Sequence, residues 1–92
     1  MNIEHTDDGF KGKFFVEQDH RELAEMTYVW VGNEKFIIDH TEVSDELRGQ
    51  GAGKQLVAAA VSFAREKSLK IIPLCSFAKN VFDKTPEYGD VL

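Results

Sequence analysis

The first half of the chain alternates apolar and polar residues with a period of two. In its clearest stretch, the apolar residues of one face are Ala24, Met26, Tyr28 and Trp30, and glutamate and threonine are among the residues between them. Such alternation is typical of a strand with one buried face. We predict four strands in this half of the chain, at Ile3–His5, Phe10–Glu17, Leu23–Val31 and Lys35–Val43.

The third and fourth strands are predicted to form a hairpin. Gly32-Asn33 would supply a two-residue turn, with glycine first as a type II′ turn requires. On the returning strand, Phe36, Ile38 and His40 would share one face, because alternate residues of a strand point the same way. The four strands together predict an antiparallel meander.

After residue 51 the apolar spacing becomes that of a helix. The residues that recur at helical intervals are Leu56, Val57, Ala60, Phe63 and Ala64. They predict an amphipathic helix over Ala52–Lys67, and the following segments predict a strand over Leu69–Cys75 and a short helix over Phe77–Lys84. Strand–helix–strand connections within one sheet are right-handed with parallel strands. The predicted fold is therefore α+β, with an antiparallel four-strand meander followed by a helix, a parallel strand and a short C-terminal helix.

Pro73 lies within the predicted fifth strand. Proline has no N–H to donate, so it is found at sheet edges or where pairing is interrupted. We expect the two parallel strands to begin to separate near Pro73, which would expose backbone groups to an extended, amide-containing ligand. The alternative is an ordinary edge strand.

Composition narrows the class of protein. With 92 residues, 42% of them hydrophobic, the chain is expected to fold as a single domain over residues 1–92. The net charge of −5 disfavours nucleic acid as a partner and is compatible with a cationic amine or a basic protein tail. No apolar run approaches about 20 residues, so no membrane span is predicted. The single cysteine and the polar N-terminal residues, which do not resemble a signal peptide, predict a cytoplasmic protein.

A glycine-rich segment connects the fourth strand to the first helix: Arg48-Gly49-Gln50-Gly51-Ala52-Gly53-Lys54. Its alternate glycines allow a sharp turn and a close approach to a ligand, and the free N–H groups of a helix start favour an anion such as phosphate. A tight turn without a ligand is the alternative. The segment is neither a P-loop, which needs Ser or Thr after the lysine, nor a G-x-G-x-x-G dinucleotide motif, because its third glycine comes one position early.

The segment Val43 to Gly53 resembles the acetyl-CoA signature of the GNAT superfamily of N-acetyltransferases. There a strand ending in Val is followed by four residues and by Arg-Gly-x-Gly-x-Gly at the start of a helix, and the predicted order of elements is also similar. The resemblance implies that acetyl-CoA is the cosubstrate, that the loop amides hold its pyrophosphate and that its pantetheine lies between the two parallel strands. The residues it assigns to coenzyme binding are Val43, Arg48, Gly49, Gln50, Gly51, Ala52, Gly53 and Lys54.

The chain also departs from that family. GNAT enzymes ordinarily have a pair of helices between their first two strands, whereas only Thr6–Gly9 fill that position here, so the acceptor side should be open. Ala78 matches a family alanine near the last helix. Cys75 stands where the family often has asparagine, and Phe82 stands where it has the tyrosine that protonates the leaving thiolate.

Two residues are therefore candidates for the chemistry. Cys75, at the end of the last strand, could act as nucleophile or acid, although lone cysteines are often small buried hydrophobes. His40 could act as a base or orient Cys75, although a histidine within the core is an equal alternative. No His/Cys spacing suggests a metal.

Three functions remain open at this stage. The first is acetyl-CoA-dependent N-acetyltransfer to an exposed primary amine, for which a lysine or tail of a protein is a candidate acceptor. The second is a coenzyme A-binding module with little catalysis. The third is a partner-binding domain whose loop holds no coenzyme.

Overall fold

The computed structural model describes all 92 residues and contains one five-stranded sheet with helices packed on one face. The sheet follows chain order, its first three pairings are antiparallel, and the fourth and fifth strands are parallel. This confirms the predicted fold class. The strands are β1 Glu4–Asp7, β2 Lys11–Gln18, β3 Arg21–Val31, β4 Lys35–Val43 and β5 Lys70–Pro73, and the helices are α1 Ala52–Lys67 and α2 Ser76–Lys84.

Two short 3₁₀ helices, at Asp45–Leu47 and Pro86–Val91, complete the chain, and neither was predicted. The second of them, Pro86–Val91, packs on the core. Its Val91 is buried in the core, and the Asp90 carboxylate is paired with the guanidinium of Arg65 on α1. Neither α-helix has the combination of length and apolar composition that a membrane crossing requires.

One core lies between the helices and the covered face of the sheet. Along most of β2, β3 and β4, alternate side chains point into it, and the amphipathic face of α1 closes it. Burying each large apolar side chain contributes about 1.5–3 kcal/mol. The largest fully buried side chains are Tyr28, Phe36, Met26, Ile38, Leu56, Ile71, Val16, Val57 and Val61.

A β-bulge at Asp39 interrupts the pairing of β3 with β4. Thr27 is paired with His40 and Tyr28 with Ile38, so one residue of β4 has no partner on β3. The Asp39 carboxylate accepts a hydrogen bond from the Thr27 hydroxyl at 2.7 Å, which holds the extra residue on the uncovered face of the sheet. An extra residue reverses the facing of every later side chain on its strand.

The bulge makes one prediction wrong. His40 does not share the face of Phe36 and Ile38, because the extra residue turns it to the uncovered face of the sheet. Thr41, the next residue, is paired with the buried Met26 and takes the place on the covered face.

The turn between β3 and β4 also differs from its prediction. Val31 is paired with Lys35, so the loop contains three residues, Gly32 to Glu34, and not two. Gly32 does adopt a positive φ of 65°. Glu34, the third residue of the loop, is fixed by β5. Its carbonyl accepts a hydrogen bond from the N–H of Lys70, the first residue of β5, at 2.9 Å.

The two parallel strands separate at Pro73, as predicted. The last paired residues are Ile38 and Pro73. The N–H groups of Leu74 and Cys75 both donate to the Ile38 carbonyl at 3.0 Å, and the chain then turns into α2. β4 continues to Val43 without a β5 neighbour, which leaves a gap between the strands.

A polar network lies at the other end of the sheet. The buried Tyr28 hydroxyl donates to the Asp7 carboxylate at 2.5 Å and lies 2.6 Å from Nε2 of His5. Trp30 Nε1 donates to the same carboxylate oxygen at 2.8 Å. Burial, and then the hydrogen bond to Asp7, raises the pKa of Tyr28, so the phenol stays protonated and donates.

Candidate active site

The glycine segment forms a loop between the 3₁₀ helix Asp45–Leu47 and α1. Gly51, immediately before α1, has φ 71° and ψ 26°. Residues other than glycine adopt this left-handed backbone conformation only with strain. Ala52 is buried and fixes the first turn of the helix on the core. Gln50 is held by the Gln55 side chain, whose amide donates to the Gln50 carbonyl at 3.3 Å.

The loop leaves a cluster of backbone N–H groups without partners. The first helical hydrogen bond runs from Gln55 to the Gly51 carbonyl at 3.0 Å, and no side chain caps the helix. Unpaired N–H groups and the helix dipole attract an anion, so this donor set fits the pyrophosphate of coenzyme A. The N–H groups that donate no hydrogen bond within the protein are those of Gly49, Gly51, Ala52, Gly53 and Lys54.

A groove of about 420 Å³ runs along this loop. Its volume lies in the range of small-molecule sites. The loop backbone forms one wall, and the apolar side chains that line the groove are those of Val43, Leu47, Ala52 and Phe77. The groove thus extends from the anion-binding loop to the end of β4, where the strands have separated.

Two cationic side chains, Arg48 and Lys54, line the groove. Arg48 is paired with Asp45 at 2.9 Å, and its side chain is 79% exposed. Lys54, in the first turn of α1, forms no ion pair within the protein. Lys54 is therefore fully available to a phosphate, whereas Arg48 shares one of its guanidinium nitrogens with Asp45.

Gly53 is small for a reason that the sequence did not suggest. A Cβ at this position would overlap the ring of Phe77, which lies across the start of α1. Phe77 does not belong to the buried core: it is 39% exposed and lines the groove. Its position in the first turn of α2 was the available signal.

Cys75 caps the start of α2. Its Sγ accepts a hydrogen bond from the N–H of Ala78 at 3.4 Å, and the thiol is only partly buried. The Oγ1 of Thr41 lies 3.2 Å from the same sulfur. The structure thus brings Cys75 together with Thr41, a residue that sequence reasoning missed because the bulge could not be foreseen.

His40 lies elsewhere. Its Nε2 is 3.3 Å from the carboxylate of Glu42, and the side chain is 55% exposed on the uncovered face. The structure therefore does not bring His40 and Cys75 together. Phe82, at the place of the family tyrosine, is buried against the ring of Tyr88 and has no hydroxyl to offer.

The backbone of β4 faces the gap at alternate residues. The N–H of Ser44 donates to the Leu23 carbonyl on β3 at 2.7 Å. Because hydrogen-bonding direction alternates along a strand, the peptide groups of Thr41 and Val43 point away from β3 and into the gap. The Val43 N–H is thus available at the end of the groove.

The arrangement of strand, glycine loop, helix and separated parallel strand can be compared with known proteins. A family model described as GCN5-related N-acetyl-transferase matches residues 13–91. The chain belongs to the GCN5-related N-acetyltransferase family. This confirms the resemblance that the glycine motif indicated.

The chain is also similar to a curated relative and to solved structures. Protein NATD1 from Xenopus tropicalis is 35% identical over 63 residues, which cover 68% of this chain and 58% of that protein. The matched part is thus little more than half the length of that relative. A GCN5-like protein from Staphylococcus aureus, solved by NMR, is 48% identical with a TM-score of 0.75, over 98% of this chain and 87% of that chain. An aminoglycoside N-acetyltransferase solved in complex with CoA has a TM-score of 0.63 at 13% identity, over 90% of this chain and 88% of that chain, which shows a shared fold alone.

Proposed function

We propose that this acetyltransferase-family protein transfers the acetyl group of acetyl-CoA to an exposed primary amine, and that the amine belongs to a protein lysine or tail. The observation that carries the proposal is the row of unpaired N–H groups at the start of α1, which opens onto the gap between β4 and β5. The single cysteine, a free thiol, supports a cytoplasmic location.

The coenzyme-binding residues divide into three roles in this proposal. The amides of Gly49 and of Gly51 to Lys54 donate to the pyrophosphate, and Gln50 is placed between them by its contact with Gln55. The side chains of Lys54 and Arg48 add positive charge. The exposed backbone of β4 up to Val43 serves the amide arm.

Acetyl-CoA supplies an activated acetyl thioester, and the protein must then polarise the carbonyl, accept a proton from the amine and return one to the sulfur. The N–H of Val43 is proposed to polarise the carbonyl. Cys75, in hydrogen-bond contact with Thr41, is proposed to handle the proton or to accept the acetyl group. His40 is proposed as the base for an amine that arrives on the uncovered face, because it lies there beside Glu42.

The acceptor side is open. The connection between β1 and β2 consists only of the turn at residues 8–10, so no helix covers the sheet beside it. A large acceptor fits such a site better than a small one, because a small amine would find few contacts to orient it.

A second candidate is a coenzyme A-binding module with little catalysis. The buried Phe82 favours it, because the ring replaces the hydroxyl that the family uses as an acid.

Turnover measurements separate the two candidates. Thiol release from acetyl-CoA is followed with lysine-containing peptides and basic protein tails, and in parallel with small polyamines and aminoglycosides. We expect the peptides to be acetylated faster. Binding of coenzyme A without transfer to any amine would favour the binding module, and clear preference for a small amine would contradict the open-site argument.

A further inference from the structure

The face of the sheet opposite the helices carries no buried side chain. The strand register shows how its side chains are arranged in rows across the sheet. One row is apolar, with Val29 on β3, Ile37 on β4 and Ile72 on β5 directly beside one another. Val29 is 41% exposed and Ile72 is 39% exposed, so this row is available for contact.

A second row lies nearer the glycine loop and is acidic. Glu25 on β3 is directly opposite Glu42 on β4, and Phe15 lies beside Glu25 on β2. A depression of about 130 Å³ at this row is lined by Glu22, Glu25, Glu42 and Ser44 among others. Because Ser44 follows Val43, the depression adjoins the end of β4 where the gap opens.

The facing glutamates do not favour folding. Like charges directly opposite one another on a sheet are destabilising. Glu22 is paired with Lys13 at 2.6 Å and Glu42 with His40 at 3.3 Å, whereas Glu25 has no cationic partner within the protein. A cationic group from another molecule would neutralise this pair.

We propose that the uncovered face docks the acceptor as an extended polypeptide segment. A lysine ammonium of that segment lies at the Glu25–Glu42 row, and an apolar side chain four residues along the segment packs on Val29, Ile37 and Ile72. Glu25 and Val29 are four residues apart on β3, about 13 Å at roughly 3.3 Å per residue. An extended segment spans the same distance and presents residues i and i+4 on the same side. This proposal rests on the proposed function, since it names the acceptor class of that site.

The surface combines the two features that such a segment needs. The charge is complementary to lysine at the end beside the gap, so an amine held there is near the end of the coenzyme groove. The apolar row sets the direction and register of the segment. A second copy of this chain, with a net charge of −5, would meet the acidic row with repulsion, so the occupant is a basic segment.

The test uses the ¹⁵N-labelled protein and peptides with a single lysine in an otherwise polar sequence. One peptide carries leucine four residues after the lysine, and a control carries it three residues after. We expect the first peptide to bind more tightly and to shift the amide signals of residues 25–29, 37–42 and 72. Equal binding of the two peptides, or shifts confined to the helices, would overturn the proposal.

Variants of the protein test each row. Glu25→Gln should weaken binding about threefold, the effect of one exposed charge pair, while leaving the free energy of unfolding unchanged or higher. Val29→Thr keeps the β-branched shape and should weaken binding about fourfold through the loss of one buried methyl. Glu66→Gln, on the exposed surface of α1, is the matched control and should have no effect. If Glu25→Gln and Val29→Thr bind the peptide as the wild type does, the proposal is wrong.

Two further results separate this proposal from the proposed function. Peptide binding at the uncovered face without acetylation would support the docking surface and contradict the enzymatic activity. Acetylation of peptides that leaves Glu25→Gln and Val29→Thr kinetically unchanged would support the activity and contradict the docking surface. Concentration-dependent self-association that is lost in Val29→Thr would show that a second copy covers this face, and would also overturn the proposal.

Discussion

Thr41 on β4 and Cys75 at the start of α2 are joined by a contact of 3.2 Å between Oγ1 and Sγ. The contact crosses the gap that opens after Ile38 and Pro73. It ties the thiol to the strand whose backbone faces the gap. Cys75 thus has a structural role as the cap of α2 and a proposed chemical role at the same position.

Substitution of Cys75 by serine and by alanine separates these roles. Serine can accept the hydrogen bond from Ala78, so Cys75→Ser should keep the stability of the wild type, whereas Cys75→Ala should lose about 1 kcal/mol. If the thiol acts in the reaction, both variants lose turnover. Thermal unfolding and initial rates measure the two effects, and full turnover in Cys75→Ser would mean that the residue only caps and packs.

A negative charge in the loop should prevent coenzyme binding. Gly51→Asp places a carboxylate among the N–H groups that are proposed to hold the pyrophosphate, so the affinity for coenzyme A should fall by more than tenfold, about 1.4 kcal/mol or more. Gly9→Asp is the matched control, since Gly9 also has a positive φ, of 92°, with open space around it but lies in the β1–β2 turn. Calorimetry should show normal affinity for the control. Equal loss in both variants would mean that destabilisation, and not charge, is responsible.

The contact between Gly53 and Phe77 predicts a coupled pair of substitutions. Alanine in place of glycine at a helical position stabilises a protein by about 0.4–1 kcal/mol, but Gly53→Ala should show little or none of this gain, because its methyl group must displace the partly exposed Phe77 ring. In a Phe77→Ala background the same change should show the full gain. Urea unfolding of the four proteins measures the coupling, and additive effects would show that the ring does not restrict Gly53.

The fold could be predicted from the sequence because its main signals are local. These signals are the two-residue apolar period of the strands, the helical spacing of α1 and the glycine motif. β4 and α1 were predicted to the residue, and the separation of the parallel strands follows from Pro73. The facing of His40 could not be predicted, because the bulge at Asp39 arises from pairing with β3 and leaves no composition signal. For the same reason the sequence could not indicate Thr41 as the partner of Cys75.

Other site features were missed because they depend on contacts between distant segments. The role of Gly53 depends on Phe77, which lies 24 positions later in the sequence and meets it only in the folded protein. The acidic row on the uncovered face arises from strand register, since Glu25 and Glu42 become neighbours only when β3 pairs with β4.

His5 makes stability dependent on pH. Its ring is stacked on Phe14 with centroids 4.1 Å apart and meets the edge of Phe63 at 4.7 Å. Burial lowers the pKa of His5 below its ordinary value of 6.5, although the Asp7 carboxylate acts in the opposite direction. Because the folded state binds this proton less readily than the unfolded chain, the free energy of unfolding is highest above pH 6.5 and falls as the pH drops through the lowered pKa.

Asp7 extends the loss of stability to lower pH. Burial acts to raise the pKa of Asp7, but hydrogen bonds from Tyr28, Gly9 and Trp30 outweigh it and hold the pKa below 3.8. Its contribution is thus present above pH 3.8 and is lost below it. In His5→Gln, the free energy of unfolding should vary less with pH just below pH 6.5, and it should still fall below pH 3.8. The control His20→Asn, in the β2–β3 turn, should retain both phases, and an unchanged slope in His5→Gln would contradict this assignment.

The most direct test of the proposed coenzyme site is a titration of the ¹⁵N-labelled protein with coenzyme A, followed at each backbone amide. We predict that the largest and saturable shifts occur at the free N–H groups of Gly49, Gly51, Ala52, Gly53 and Lys54, with smaller shifts at Thr41 and Val43 along the gap. Saturable shifts elsewhere with these amides unaffected, or no binding at all, would contradict it.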